Sequence, residues 1–138
     1  MKLEEFNERL KKLDKAYRDQ FIRQELIQGA MRTTGKAAER TPVDTGRLKG
    51  SWWFTQPTKI SGGYEIKILN RTEYASYVEF GHLLKSGKFY PPRFMLKKSI
   101  NELEDELPAI INDDLVDLWN NAIERNNVNK AINNVYGE

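Results

Sequence analysis

The sequence predicts an α+β fold. Three observations carry this: an apolar stripe at helical spacing before residue 41, aromatic and alternating segments within 50–69, and a second helical stripe from about residue 93. The 138 residues fit one domain with a real core. The expected organisation is a single α+β domain over 1–124 and a polar C-terminal tail over 125–138 that docks on a partner.

Leu3, Phe6, Leu10, Leu13 and Tyr17 follow a 3-4-3-4 spacing, so residues 2 to about 40 read as helix. Phe21, Ile22, Leu26 and Ala30 continue the stripe less cleanly. Gly29 and Gly35 weaken it by about 1 kcal/mol each relative to Ala, and Thr41-Pro42 ends it. Such a helix would span roughly 58 Å, against a radius of gyration of about 14 Å for a compact chain of this size. Either it breaks near Gly29–Gly35, or its N-terminal half packs on something else, such as a second subunit.

Asp44, Thr45, Gly46 and Arg47 read as a structural turn, with the Asp44 carboxylate accepting backbone N–H groups and Gly46 supplying the unusual φ. Ser51 to Thr55 is β-favouring. Residues 57–63 read as a loop with a turn at Gly62-Gly63. Tyr64, Ile66 and Ile68 alternate with Glu65 and Lys67 as a half-buried strand. The pair forms a hairpin over 50–69. Residues 74–80 fit a short helix or a strand; the helix is favoured because Gly81 can cap it. His82 to Pro92 reads as a basic loop. The last helix starts at about residue 93, and Pro108 should kink or divide it. After about Glu124 the chain turns Asn-rich, with Val128, Ile132 and Val135 as a weak amphipathic trace.

Composition excludes much chemistry. With no cysteine and one histidine, His82, there is no disulfide framework, zinc ribbon, iron–sulfur site or thiol nucleophile. No apolar run approaches the roughly 20 residues of a membrane span, and the N-terminus lacks the apolar core of a signal peptide. A soluble chain made in the cytoplasm, with no membrane role, is expected. The net charge of +2 is a cancellation. Lys85, Lys88, Arg93, Lys97 and Lys98 form a basic block without an acid. Glu102, Glu104, Asp105, Glu106, Asp113, Asp114 and Asp117 form an acidic block without a base. Both oppose the macrodipole of the last helix. The blocks are either plainly solvated faces or sides of a contact with an oppositely charged surface.

No chemical constellation survives. Asp44-Thr45-Gly46 matches the triplet of dimeric aspartic proteases, but a helix leads into it, and Pro42 and Arg47 flank it. Glu79 and His82 at i, i+3 can share a helix face, yet a metal needs three or four ligands and no spacing supplies them. Trp52 and Trp53 could stack on bases beside Arg47, Lys49 and Lys59. Adjacent strand residues face opposite ways, however, so at most one Trp is free. That nucleic-acid reading, using the basic 85–98 block, is the alternative function.

Three motifs occur in order: Thr41-Pro-Val-Asp-Thr-Gly-Arg-Leu-Lys-Gly-Ser-Trp52, Tyr74-Ala-Ser-Tyr-Val-Glu-Phe-Gly81 and Pro92-Arg-Phe-Met-Leu-Lys-Lys-Ser99. By these, residues 20–120 resemble the tailed-bacteriophage minor tail component family, the gene-product-ten-like head–tail joining or tail-completion proteins. His82 stands where that family usually has Thr, and Lys98-Ser99 where it commonly has Pro-Ala. The resemblance implies a non-enzymatic protein without cofactors. It would sit in the neck or tail of a virion, be assembled in the host cytoplasm, and join or complete the head-proximal end of the tail as a ring. Implied partners are further copies of itself and connector, stopper, terminator or tube proteins, with DNA passing the lumen without sequence-specific binding. In such a ring, His82, Lys85, Lys88, Arg93, Lys97 and Lys98 are expected on one side of a contact. Glu102, Asp105, Glu106 and Asp113 are expected on the other, and Trp52 or Trp53 as an apolar anchor.

Overall fold

The computed structural model describes residues 4, 5, 8 and 15–136. The chain divides into two compact units, residues 14–106 and residues 1–13 with 107–138. Of the expected contact residues, only Asp113 falls outside the first unit.

Helix α1 spans Lys15–Arg40, and Glu4, Glu5 and Glu8 are helical as well. Leu3, Phe6, Leu10 and Leu13 lie outside the described residues. Gly29 and Gly35 do not break α1. Its buried residues are Phe21, Gly29, Ala30, Thr33 and Ala37, mostly small, whereas Tyr17 and Ile22 of the predicted stripe are exposed. A second helix comes close at one of them: a Cβ on Gly29 would lie 3.4 Å from Leu103. Buried Thr33 satisfies its hydroxyl by donating to the Gly29 carbonyl at 2.8 Å.

A turn and a single 3₁₀ turn, Lys49–Ser51, lead into four short strands: β1 (Trp52–Phe54), β2 (Thr58–Ile60), β3 (Gly63–Glu65) and β4 (Ile68–Asn70). They form one long hairpin in two antiparallel ladders, β1 with β4 and β2 with β3. Thr58–Ile60 is therefore strand, not the predicted loop, and the tip is Ser61-Gly62, with Gly62 at φ 85°. Between the ladders, residues 55–57 oppose only 66 and 67. This one-residue excess is a bulge, placed where Pro57 has no N–H to give a ladder. The Thr55 N–H donates to the Lys67 carbonyl at 2.9 Å, and its hydroxyl accepts the Lys67 N–H at 3.0 Å. Tyr64, Ile66 and Ile68 are half-buried and Glu65, Lys67 and Leu69 exposed, as alternation predicts.

Helix α2 spans Ala75–Phe80, which settles that segment as helix. The basic stretch after it is not an irregular loop but a small hairpin, β5 (His82–Leu83) with β6 (Phe89–Tyr90). Gly87 at φ 85° and a Leu84 N–H to Lys88 carbonyl bond of 2.8 Å close it. Helix α3 spans Met95–Tyr136 and runs through Pro108 without ending. The proline leaves the Glu104 carbonyl without its helical donor. The helical backbone continues across the predicted tail; the side chains of Trp119, Val128, Ile132 and Val135 lie outside the described residues.

The start of α3 is fixed by Glu79, which is 8% exposed. Its carboxylate accepts the Leu96 N–H at 3.0 Å and the Lys97 N–H at 2.9 Å. These are among the N–H groups a helix leaves unpaired at its start, and they carry its positive dipole end. The first turn of α3 has no acid of its own, so Glu79 supplies one from α2. Two backbone bonds reinforce the joint, Arg93 N–H to the Val78 carbonyl at 2.9 Å and Phe94 N–H to the Glu79 carbonyl at 3.1 Å. They hold Phe94 at φ 47°, an uncommon conformation for a bulky residue. Gly81, at φ 77° and ψ 165°, lets the chain leave α2. A Cβ there would sit 2.7 Å from the Tyr90 carbonyl oxygen.

Urea unfolding checks this joint. Glu79→Ala should lose about 2–3 kcal/mol, since it strips a charged acceptor from two N–H groups. Gly81→Ala should lose at least about 1–3 kcal/mol from backbone strain. Gly35→Ala, in open space on α1, should instead gain up to about 1 kcal/mol. Equal effects at the two glycines would contradict the assignment.

Candidate assembly surface

The turn after α1 is anchored from below. Buried Thr41 donates to the Ala37 carbonyl at 2.6 Å and accepts the Trp52 Nε1–H at 2.9 Å. Gly46 stands at φ 82°. The hydrogen bond inside the turn comes from the Thr45 hydroxyl, which accepts the Arg47 N–H at 3.3 Å. Asp44, expected in that role, is exposed and takes no hydrogen bond among the described residues. Arg47 reaches across to Glu73 as a two-pronged fork, at 3.2 and 2.8 Å, with its guanidinium over the Tyr74 ring.

Both tryptophans are half-buried. Trp52 is tied to Thr41. Trp53 lies under the Arg71 guanidinium at 4.8 Å, and its Nε1 is buried without a partner among the described residues. Neither is left as an open platform for a base. Glu79 and His82 do not converge. Both Glu79 oxygens cap α3, and the His82 ring packs between Tyr77 and Tyr90 at 5.5 and 5.3 Å.

The basic and acidic residues fare differently. Lys85, Lys88, Arg93, Lys97 and Lys98 are all exposed, and no acid pairs with them among the described residues. The Lys97 ammonium lies over the Phe94 ring. Two of the acids find cations inside the chain. Glu102 pairs with Arg40 and with Lys36 at 3.2 Å, and Glu106 pairs with Lys36 at 2.7 Å. Arg40 also donates to buried Ser99 at 2.8 Å. The surface opposite this part of the acidic block is thus α1 itself. Asp105 and Asp113 remain exposed and unpaired among the described residues.

The sequence reading missed a group of exposed large apolar side chains on α2 and the small hairpin: Tyr77, Phe80, Leu83 and Phe89. The strand residues Leu83 and Phe89 sat in a segment read as a basic loop. A groove of about 570 Å³ opens beside Phe80, walled by Trp52, Ile68, Leu69, Leu96 and Ile100.

Two exposed pairs carry a pH dependence. The Lys36 hydrogen bond holds the Glu106 carboxyl below its ordinary value. A bond from its own backbone N–H, then Arg47, does so for Glu73, and Glu73 in turn raises Arg47. Carboxyls lowered on folding stabilise the protein above the ordinary value of 4.5 and lose that contribution as pH falls through their folded values. Urea midpoints should therefore drop in acid, and the drop should shrink at high salt, which screens exposed pairs. A Lys36→Ala chain should lose the Glu106 share of that drop; an unchanged acid profile in this variant would contradict the pairing.

No curated protein and no solved structure matches this chain. One family profile does, over residues 4–81, more than half of the chain; its description reads "Bacteriophage HK97-gp10, putative tail-component". The match takes in the Thr41–Trp52 and Tyr74–Gly81 motifs, whose residues form the turn, β1 and the Glu79 joint. The chain belongs to this HK97-gp10-like family of bacteriophage tail components.

Proposed function

We propose that this tail component works at the head-proximal end of the tail, as a ring that joins or completes it. The observation that carries the reading is the surface around α2 and the β5–β6 hairpin. Phe80, Leu83 and Phe89 are exposed there beside Lys85, Lys88, Arg93, Lys97 and Lys98. Exposed apolar clusters rimmed by charge mark association sites, and family membership supplies the setting. The sides of a ring contact are then the basic stretch 82–98 and, among the expected acids, Asp105 and Asp113, which have no cation partner among the described residues. Trp52, on the groove wall, is the apolar anchor. His82 holds the hairpin base between two tyrosines.

A heterologous contact of this kind closes into a ring by rotation and should bury upward of about 1,000 Å². DNA would pass the lumen without base-specific contacts. Connector, stopper, terminator or tube proteins would be the neighbours above and below, and the 125–138 segment would dock on one of them. Assembly would take place in the host cytoplasm.

Two measurements test this. Particles made without the protein should show heads and tails that fail to join; joined, infectious particles would overturn the reading. Lys85→Glu/Lys88→Glu should abolish ring formation in sedimentation while leaving the melting transition intact. Unchanged assembly would remove the basic stretch from the contact.

A further inference from the structure

The groove beside α2 is mostly apolar: of its polar lining groups, Ser76 and Asn101 are free among the described residues, and the others are engaged. Glu79 caps α3. The Asn70 amide donates to the Leu48 carbonyl at 2.9 Å, and its oxygen accepts from Thr72. Glu73 is held by Arg47, and the Lys97 ammonium lies over Phe94. A small-molecule site places convergent free polar groups in its pocket, and this groove has few to offer. What remains open to an occupant is the apolar wall of Ile68, Leu69, Phe80, Leu96 and Ile100. Leu69 is 39% and Phe80 67% exposed.

The same subunit carries large apolar side chains that the described residues leave exposed. Leu83 is 70% and Phe89 57% exposed, on the two strands of the small hairpin. The connection between those strands holds Lys85 and Lys88, both exposed. No acid occurs anywhere from Phe80 to Asn101. The groove carries one cation, Lys97, whose ammonium lies over the Phe94 ring, and beyond it an acidic end. Its α3 wall is Leu96, Lys97, Ile100 and Asn101. Four residues on from the last two, hence next on the same helix face, stand Glu104 and Asp105. Both are exposed, and neither pairs with a cation among the described residues.

We infer that the β5–β6 hairpin of one copy seats Leu83 and Phe89 in this groove on the next copy, with Lys85 and Lys88 meeting Glu104 and Asp105. The inference rests on the ring reading above and names the contact within it. Hairpin and groove are different surfaces, so each copy offers one of each and the contact is head-to-tail. Intramolecular seating is not the state described, since Leu83 and Phe89 stay exposed.

Sedimentation velocity on the full-length chain tests this with two variants at exposed positions. Leu83→Ser/Phe89→Ser disables the hairpin. Leu69→Lys/Ser76→Lys disables the groove by placing cations where the lysines must arrive. Each variant should melt cooperatively, like the wild type, and self-associate at least tenfold more weakly. Mixed in equal amounts, the two should form one-to-one dimers and nothing larger, because only one intact hairpin and one intact groove remain per pair. Cooperatively melting variants that assemble like the wild type, or a mixture that stays monomeric, overturn this contact and leave the ring reading standing. A wild-type chain that remains monomeric overturns both.

Discussion

A buried carboxylate on a helix start holds this fold in register. Glu79 sits near the end of one helix and neutralises the dipole of another, sixteen residues further on. Everything between them, the β5–β6 hairpin and the Pro91-Pro92 corner, is a loop closed by that bond and its two backbone companions. The closure imposes strict demands. Gly81 must adopt a backbone that a Cβ would obstruct, and Phe94 must accept a positive φ. Both are compensated by cap bonds that would otherwise have to come from water.

The same bond explains an electrostatic oddity. Helix α3 begins among Arg93, Lys97 and Lys98, where its dipole disfavours cations. With Glu79 underneath, those side chains are free to face outward. Further along, Glu102 and Glu106 are matched by Lys36 and Arg40 of α1. The near-zero net charge is thus partly an internal match and partly an unspent surplus: bases on the hairpin side, acids at Glu104, Asp105 and Asp113. Internal pairing links the helices within residues 14–106, and the surplus stays exposed.

The element types were legible from local pattern. Helical spacing marked α1 and α3, alternation marked Tyr64–Ile68, which the structure divides between β3 and β4, and Gly81 marked the end of α2. What escaped was set by non-local contacts. Thr58–Ile60 became a strand because Gly63–Glu65 lies opposite, despite exposed side chains and a preceding proline. The buried face of α1 is made mostly of small residues, with Leu103 close at Gly29, and a hydropathy stripe favours large residues instead. The expected contact residues were chosen by charge alone, so two that pair inside the chain, Glu102 and Glu106, could not be told from Asp105. The cap did leave a signal. A helix that opens on bases and lacks a first-turn acid must borrow one, and upstream Glu79, two residues before a glycine, was within reach.

If the ring contact uses the hairpin that Glu79 helps to position, that surface is buried when the tail component assembles. Hydrogen–deuterium exchange, comparing the free chain with the chain in assembled particles, reads this directly. Assembly should slow exchange in 82–90 and along 68–76, while the α1 backbone at Gly29–Ala37, already protected by its own packing, stays unchanged. Equal exchange in 82–90 and 68–76 in the two states, with new protection appearing elsewhere, would contradict it.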